Sequence, residues 1–384
     1  MEKSSDSLTA PATIRIIDQT IREGMQYQGL VFSLEQRLKI LEYQAQLGVD
    51  VCQAGYPSAH PLEAEMVKKL AVRAKDKGWP IRVAALGRMW MPDARIMLDT
   101  GHRDFHFHVH LGDAGADHLK ETAHEMAALS AYIRKTQPEA LISLAILDMG
   151  RTAQNFFKAS IEILSKVRGL DILSLPDTSG IMIPYQVTKK IEAARMLAGN
   201  KSISIHCHND MGMASANTVA GAMAGADLIE ATAIGIGERN GIADLFSTAT
   251  LLKDQGPTLN LNTENKALAL EYYTYVNDIV KKQAGHSLLT PSFPVFGSAC
   301  ATHVAGTHAD GKFGNTSEER FFLNPLCGKH LVKKYMNQHK ITFDVEDIDR
   351  ITLEIKTLSF SLRRRLTAGE VSDIAQRIQE KEHD

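Results

Sequence analysis

Residues 141–208 read LISLAILDMGRTAQNFFKASIEILSKVRGLDILSLPDTSGIMIPYQVTKKIEAARMLAGNKSISIHCH. Three short apolar runs stand out: LISLAILD (141–148), LDILSLPD (170–177) and SISIHCH (202–208). They alternate with longer stretches such as NFFKASIEILSKVRG, whose apolar residues recur at helical spacing. The runs are nearly continuous in apolar character, as parallel strands covered on both faces must be. The same rhythm extends outward through IRIID (14–18), VDVCQAGY (49–56), IRVAALG (81–87), DFHFHVHL (104–111) and DLIEATAIGI (227–236). Between the first two runs, SLEQRLKILEYQAQLG opens on Ser33 as a helix N-cap and closes on Gly48 as a stop. Eight βα units starting roughly 23 to 37 residues apart predict a (β/α)8 TIM barrel over residues 14–258. An open doubly wound sheet would not require eight units, and no GxGxxG opens the first one.

Composition sets the outer limits. The chain has 384 residues, 44% hydrophobic and 23% charged, within the globular range. Its 43 Lys+Arg against 45 Asp+Glu leave a net charge of -2, so no overall basic field draws it to nucleic acid or a membrane surface. Mean hydropathy is -0.16, and no apolar run reaches the roughly 18–20 residues of a membrane-spanning helix. The N-terminal stretch 1–13 is polar, without the apolar centre of a signal peptide, and is expected to be disordered. Four cysteines without CxxC spacing read as reduced thiols, which together with that N-terminus points to the cytoplasm.

Past residue 258 the rhythm stops. Residues 264–285 read as a helix, and the span 259–315 reads as a linker and a His-containing loop region, with HSLLTPSFPVFG (286–297) as hinge and HVAGTHADGKFGN (303–315) as loop. Residues 316–384 form a small helical or mixed subdomain, in which KHLVKKYMNQH and VSDIAQRIQEKE read as helical and RITLEIKTL (350–358) alternates.

A TIM barrel places its chemistry at the C-terminal ends of the strands. His206 and His208 lie two apart on a predicted strand, so both imidazoles point to one face and can chelate one cation. A carboxylate from another strand completes such a set, and Glu23 and Asp18 are the candidates. His106, His108 and His110 also share a face, but without a matching carboxylate; His106 and His108 read as packed or structural.

Three ordered segments carry a family resemblance: Asp18-Gln19-Thr20-Ile21-Arg22-Glu23-Gly24, His206-Cys207-His208-Asn209-Asp210, and Gly235-Ile236-Gly237-Glu238-Arg239-Asn240-Gly241-Ile242. Together they resemble the DRE-TIM metallolyase superfamily, and within it the homocitrate synthase and isopropylmalate synthase group. The resemblance implies a divalent cation (Mg, Mn or Zn) on Glu23, His206 and His208, binding a 2-oxo acid and polarising its carbonyl. It implies that Arg22 stabilises the developing alkoxide, and that Thr178 and Gln26 contact the 2-oxo acid; His110, at the end of strand four, is a further substrate-side candidate. The second substrate would be acetyl-CoA or a close acyl-CoA. His308, in Gly306-Thr307-His308-Ala309-Asp310, matches the family's proton-transfer histidine, with His303 as a second choice. The implied activity is Claisen condensation with release of CoA by a homodimer, of the homocitrate synthase type because of GERNGI. The alternative is a carbon–carbon lyase of the hydroxymethylglutaryl-CoA lyase type.

The chain departs from the family pattern at several points. Leu147 stands where members carry a catalytic glutamate, and Gln53 where many carry another. Phe321 and Phe322 occupy the region of a catalytic-site tyrosine. The segment LGDAGADHLK lacks the arginine that grips the distal carboxylate of 2-oxoglutarate. Arg88, Arg151 or Lys120 would have to supply that grip, or the substrate is a different acid, since an unpaired buried carboxylate is costly.

Overall fold

The computed structural model describes residues 11–112, 115–304 and 320–380. It divides into two units, residues 1–288 and 289–384. In the first, β1 (Arg15–Asp18), β2 (Val51–Gln53), β3 (Arg82–Arg88), β4 (Asp104–Val109), β5 (Leu141–Ile146), β6 (Ile172–Asp177), β7 (Ser202–Cys207) and β8 (Leu228–Ala231) close into a parallel barrel in chain order. Each strand falls on its apolar run, β3 extending one residue further. Closure comes from β1, which pairs Ile17 with Val51 on one side and Arg15 with Leu228 on the other.

Local sequence builds these elements directly. The helix Leu34–Leu47 starts on a capping box, in which Ser33 Oγ accepts from Gln36 N at 3.2 Å and Gln36 Oε1 accepts from Ser33 N at 2.8 Å. Gly48 ends it in the left-handed conformation. At the N-terminal rim an aspartate stands immediately before β2, β6 and β8. Asp50, Asp171 and Asp227 accept at 2.8 Å from the backbone N–H of Ile16, Ile142 and Ile203 respectively. Three otherwise orphaned strand donors are thereby satisfied.

Alternation along the strands then sets the interior. Ile17, Val51, Ala84, Ile172 and Leu228 pack into an apolar plug across the barrel. Two residues further on, the same faces present Gln19, Gln53, Leu86, Ser174 and Glu230, which line a cavity. The barrel is therefore sealed below and open above.

The barrel unit runs past the expected boundary at 258. The helix Lys266–Ala284 belongs to it, because the Tyr272 hydroxyl donates to Asp18 at 2.9 Å and the Tyr273 hydroxyl to Asp244 at 2.8 Å. Both carboxylates are buried, so the helix supplies hydrogen bonds they would otherwise lack. At the other end, Thr13 bridges to Thr258, so the ordered chain begins before residue 14. Residues 1–10 lie outside the described residues.

The second unit has its own core, with Leu331, Met336, Ile351, Ile355, Val371 and Ile374 buried together. Its helices are Lys329–Gln338, Ile348–Leu362 and Ala368–Glu380, beside a two-stranded pairing of Thr302–His303 with Arg320–Phe321. The alternating run RITLEIKTL is helical. Ile351, Ile355 and Ser359 are buried at i, i+4 and i+8, a spacing that satisfies both periods, so alternation alone could not identify the element. No described helix is long and apolar enough to cross a membrane.

His102, just before β4, gives the barrel a pH-dependent stability. It is fully buried, with Nδ1 against Thr100 Oγ1 and its ring 4.5 Å from that of Phe105, and burial pushes its pKa from 6.5 down to about 3. The unfolded chain binds the proton that the folded protein refuses, so this stability is present above pH 6.5 and is lost as the pH falls toward 3. One such group contributes a slope of up to ~1.4 kcal/mol per pH unit. Denaturant unfolding at stepped pH should show the decline, with a shallower slope in His102→Leu; an unchanged slope would assign the effect elsewhere.

Candidate active site

The segment after β1 organises the cavity mouth. Asp18 accepts from Thr20 N at 2.8 Å and from the Thr20 hydroxyl, whose oxygen in turn accepts from Ala233 N at 2.8 Å. These bonds fix the short helix Thr20–Gly24 against the loop after β8. Asp18, a ligand candidate on spacing alone, is thus an anchor outside the cavity lining, while Arg22 and Glu23 face the cavity. Glu23 Oε1 accepts from Glu238 N at 3.1 Å. That approach requires glycine at 237, where a Cβ would stand 2.8 Å from Glu23 Cγ, and at 241, where it would strike the Gly235 carbonyl.

Opposite lies β7. Glu230, buried in β8, accepts from Gln19 Nε2 at 2.6 Å, Ser174 Oγ at 2.7 Å and Ser204 Oγ at 2.8 Å, and contacts His206 Nδ1 at 3.0 Å. Burial alone would raise this carboxyl, but His206 and the two serines outweigh it and keep it ionised. A carboxylate only accepts, so His206 Nδ1 carries a proton, and Nε2 is the nitrogen that can offer a lone pair to a ligand. That Nε2 stands 3.3 Å from His208 Nε2.

Two nitrogens bound to one ion at ~2.1 Å, at right or tetrahedral angles, stand about 3.0–3.4 Å apart, so the pair fits joint ligation. Burial and the neighbouring His206 hold the His208 pKa down to about 3, leaving a neutral imidazole whose Nδ1 has no partner among the described residues. Burial pushes Glu23 up, but Arg22, His206, the Glu238 amide and His208 hold it below the usual carboxylate range. Two imidazoles and a carboxylate thus fit a divalent cation chemically. As placed, Glu23 is turned to Arg22, and no three His, Cys, Asp or Glu side chains among the described residues converge; a third ligand requires Glu23 to exchange Arg22 for the ion.

Arg22 is held from every side. Nε donates to Gln53 Oε1 at 2.6 Å, Nη1 to Gln26 Oε1 at 2.6 Å and to Glu23, and Nη2 to Gln19 Oε1 at 2.9 Å. Three of its four partners are neutral amides, which leave most of its charge available to the cavity. Gln53 passes the constraint on, its Nε2 donating to His106 Nδ1 at 2.8 Å. Thr178 Oγ1 accepts from Asp148 N at 2.9 Å, which leaves its own proton for a ligand.

The cavity has a volume of about 210 Å³, and Arg22, Glu23, Gln26, Thr178, His206 and His208 all line it. His110 does not: it is exposed beyond the end of β4. His106 and His108, read from the sequence as packed or structural, line the cavity instead, because β4 turns these alternate residues inward. His308 lies outside the described residues, and His303 is buried in the second unit, its ring 6.0 Å from that of Phe321. Sequence reasoning missed Glu230, although a lone charge inside the apolar run DLIEATAIGI was its signal.

None of the three cations considered for a distal grip lines the cavity. Arg88 bonds Asp93 at 2.8 Å and lies over Trp90, Arg151 bonds Asp148 at 2.6 Å, and Lys120 is exposed beside Asp117. Among the described lining residues, Arg22 is the one formal cation.

A parallel barrel with an Arg-Glu pair after its first strand and an HxH pair at the end of its seventh defines a class of metal-site barrels. The chain matches the HMGL-like family model over residues 13–271 and belongs to that family, the DRE-TIM metallolyases. It is similar to a 2-isopropylmalate synthase of Sulfurisphaera tokodaii, 30% identical with 90% of this chain and 91% of the relative covered. It is 29% identical to the 2-isopropylmalate synthase of Sulfolobus acidocaldarius, covering 94% and 95%. It is also 29% identical to the 2-phosphonomethylmalate synthase of Streptomyces rubellomurinus, covering 90% and 93%. Among solved structures, a Bacillus subtilis HMG-CoA lyase superposes with a TM-score of 0.60 at 17% identity, over 75% of this chain and 99% of the lyase, which shows the shared fold.

Removing the Glu230 carboxylate strands several buried donors at once. Glu230→Ala should cost at least ~3 kcal/mol of stability, and Glu230→Gln less because it keeps an acceptor. Denaturant midpoints measure this directly; a loss below ~1 kcal/mol in Glu230→Ala would contradict the network.

Proposed function

We propose that the chain is a divalent-cation-dependent synthase that condenses acetyl-CoA, or a close acyl-CoA, with a 2-oxo acid whose side chain carries no charge. The observation that carries this reading is that Glu23, His206, His208 and Arg22 all line one cavity at the C-terminal end of the barrel. A divalent cation held by the first three would supply Lewis acidity toward the 2-oxo acid's carbonyl. Arg22, still fixed by Gln19, Gln26 and Gln53 when Glu23 turns to the cation, would place positive charge where the keto oxygen becomes an alkoxide. Thr178 and Gln26 are proposed to orient the substrate carboxylate.

The uncharged side chain follows from the cavity walls. Leu86, Phe107, Ala145, Leu147 and Pro176 line it, and Arg22, the one formal cation among the described lining residues, faces the reacting end of the acid, which leaves no cation for a second anionic group. The GERNGI segment resembles homocitrate synthases, whose acid carries a distal carboxylate; these walls offer that group no cation among the described residues. The names of the relatives differ in the substituent on malate, so similarity near 30% does not itself choose the acid.

Thiol release from acetyl-CoA, measured against pyruvate, branched, aromatic and dicarboxylic 2-oxo acids with and without chelator, tests the proposal. Chelator-sensitive release should be at least tenfold faster with one uncharged acid than with 2-oxoglutarate, and Glu23→Ala and His208→Ala should abolish it. Fastest release with a dicarboxylic acid would overturn the specificity. No release with any acid would overturn the synthase reading.

A further inference from the structure

Condensation requires a base at the acyl-CoA α carbon, and few polar groups in the cavity are free to act as one. The Glu230 carboxylate is filled by its donors, Glu23 is taken by the proposed cation and the Glu238 amide, and His106 Nδ1 accepts from Gln53. Glu238 lies at the rim, its side chain 48% exposed and 3.8 Å from the Arg239 guanidinium, where water and a cation weaken it as a base. Leu147, next on the neighbouring strand, offers no proton acceptor.

His108 differs from all of these. It stands two residues beyond His106 on β4, lines the same cavity, and forms no side-chain hydrogen bond among the described residues. Its ring is held edge-on to Tyr56, with centroids 6.2 Å apart, which orients the imidazole without occupying a nitrogen. Its register partners are Arg88 on β3 and Ala145 on β5, and Arg88 is neutralised by Asp93. Burial, then the charge of Arg22, pushes the imidazole below its ordinary value, partly opposed by Asp93. Among the described residues, the titratable or charged groups around it are His106, Tyr56, the Arg88–Asp93 pair and Arg22, and the ring is neutral at neutral pH.

On the synthase reading above, we infer that His108 is the general base that removes the α-proton of the acyl thioester. Its free ring nitrogen takes the proton, and the C–H electron pair becomes the new C–C bond to the keto carbon. The keto π pair becomes an alkoxide facing Arg22, which takes up a proton as the imidazolium gives one up. Water then cleaves the thioester and releases the CoA thiol.

The test compares wild type, His108→Gln and His108→Ala, with melting temperatures recorded to establish folding. In both variants kcat for thiol release should fall ~10²–10⁴-fold. KM for the 2-oxo acid and the affinity for Mn²⁺ should stay within about threefold, because no uniform binding is lost. Wild-type kcat should fall on acidification, at a pH below the ordinary imidazole range, and this acid limb should vanish from the residual activity of His108→Gln. Added imidazole should restore part of the rate of His108→Ala. An active wild type with an equally active His108→Gln would overturn the assignment alone. So would a loss confined to KM, which would make His108 a contact for the substrate side chain. A wild type inactive with every acid overturns the synthase reading and this assignment with it.

Discussion

The carboxylate of Glu230, buried inside the barrel, is the constraint on which the rest of the site depends. Four side chains from β7, β6 and the end of β1 converge on it, so one charge ties together three neighbouring regions of the wall. It holds His206 through Nδ1 and turns its Nε2 toward that of His208. A ligand-bearing imidazole held through its other nitrogen by a carboxylate is a general means of orienting the ligand and raising its basicity. The apolar plug beneath, from Ile17 to Leu228, excludes water and keeps this carboxylate in a setting where each hydrogen bond counts.

Arg22 is the second fixed point, and its environment explains why glutamine suits position 53. A carboxylate there would add a second negative partner beside Glu23 and draw the guanidinium away from the cavity. The amide oxygen restrains the same atoms without neutralising them, and its nitrogen fixes His106. Gln19, Gln26 and Gln53 thus hold the charge without cancelling it, an arrangement suited to a transition state that becomes more negative than its ground state.

The barrel was legible because its strands are apolar on both faces and short, a pattern that only a covered parallel sheet demands. Strand alternation made His206 and His208 legible as a pair, and the family motif that residues 18–24 resemble singled out Arg22 and Glu23. The helix Lys266–Ala284 was recognised, but its membership of the barrel unit was not, since the Tyr272–Asp18 and Tyr273–Asp244 bonds join residues about 30 or about 250 positions apart. Which of His108 and His110 lines the cavity was not legible, because alternation gives the face of a residue but not where the strand stops. β4 ends at Val109, so His108 is the last inward histidine and His110 already lies outside. The helix over RITLEIKTL escaped for another reason, that a four-residue repeat fits both periods.

In the proposed function the chain's own imidazoles, positioned by Glu230, would hold one divalent cation that recognises a 2-oxo acid. The decisive measurement is an equilibrium titration of chelator-treated protein with Mn²⁺, followed by water-proton relaxation with and without pyruvate or a branched 2-oxo acid. One site is expected, tightened by the acid, lost in His206→Ala and weakened ~10–100-fold in Glu230→Gln. Mn²⁺ binding that is absent, or unchanged in both variants, would rule this cation site out.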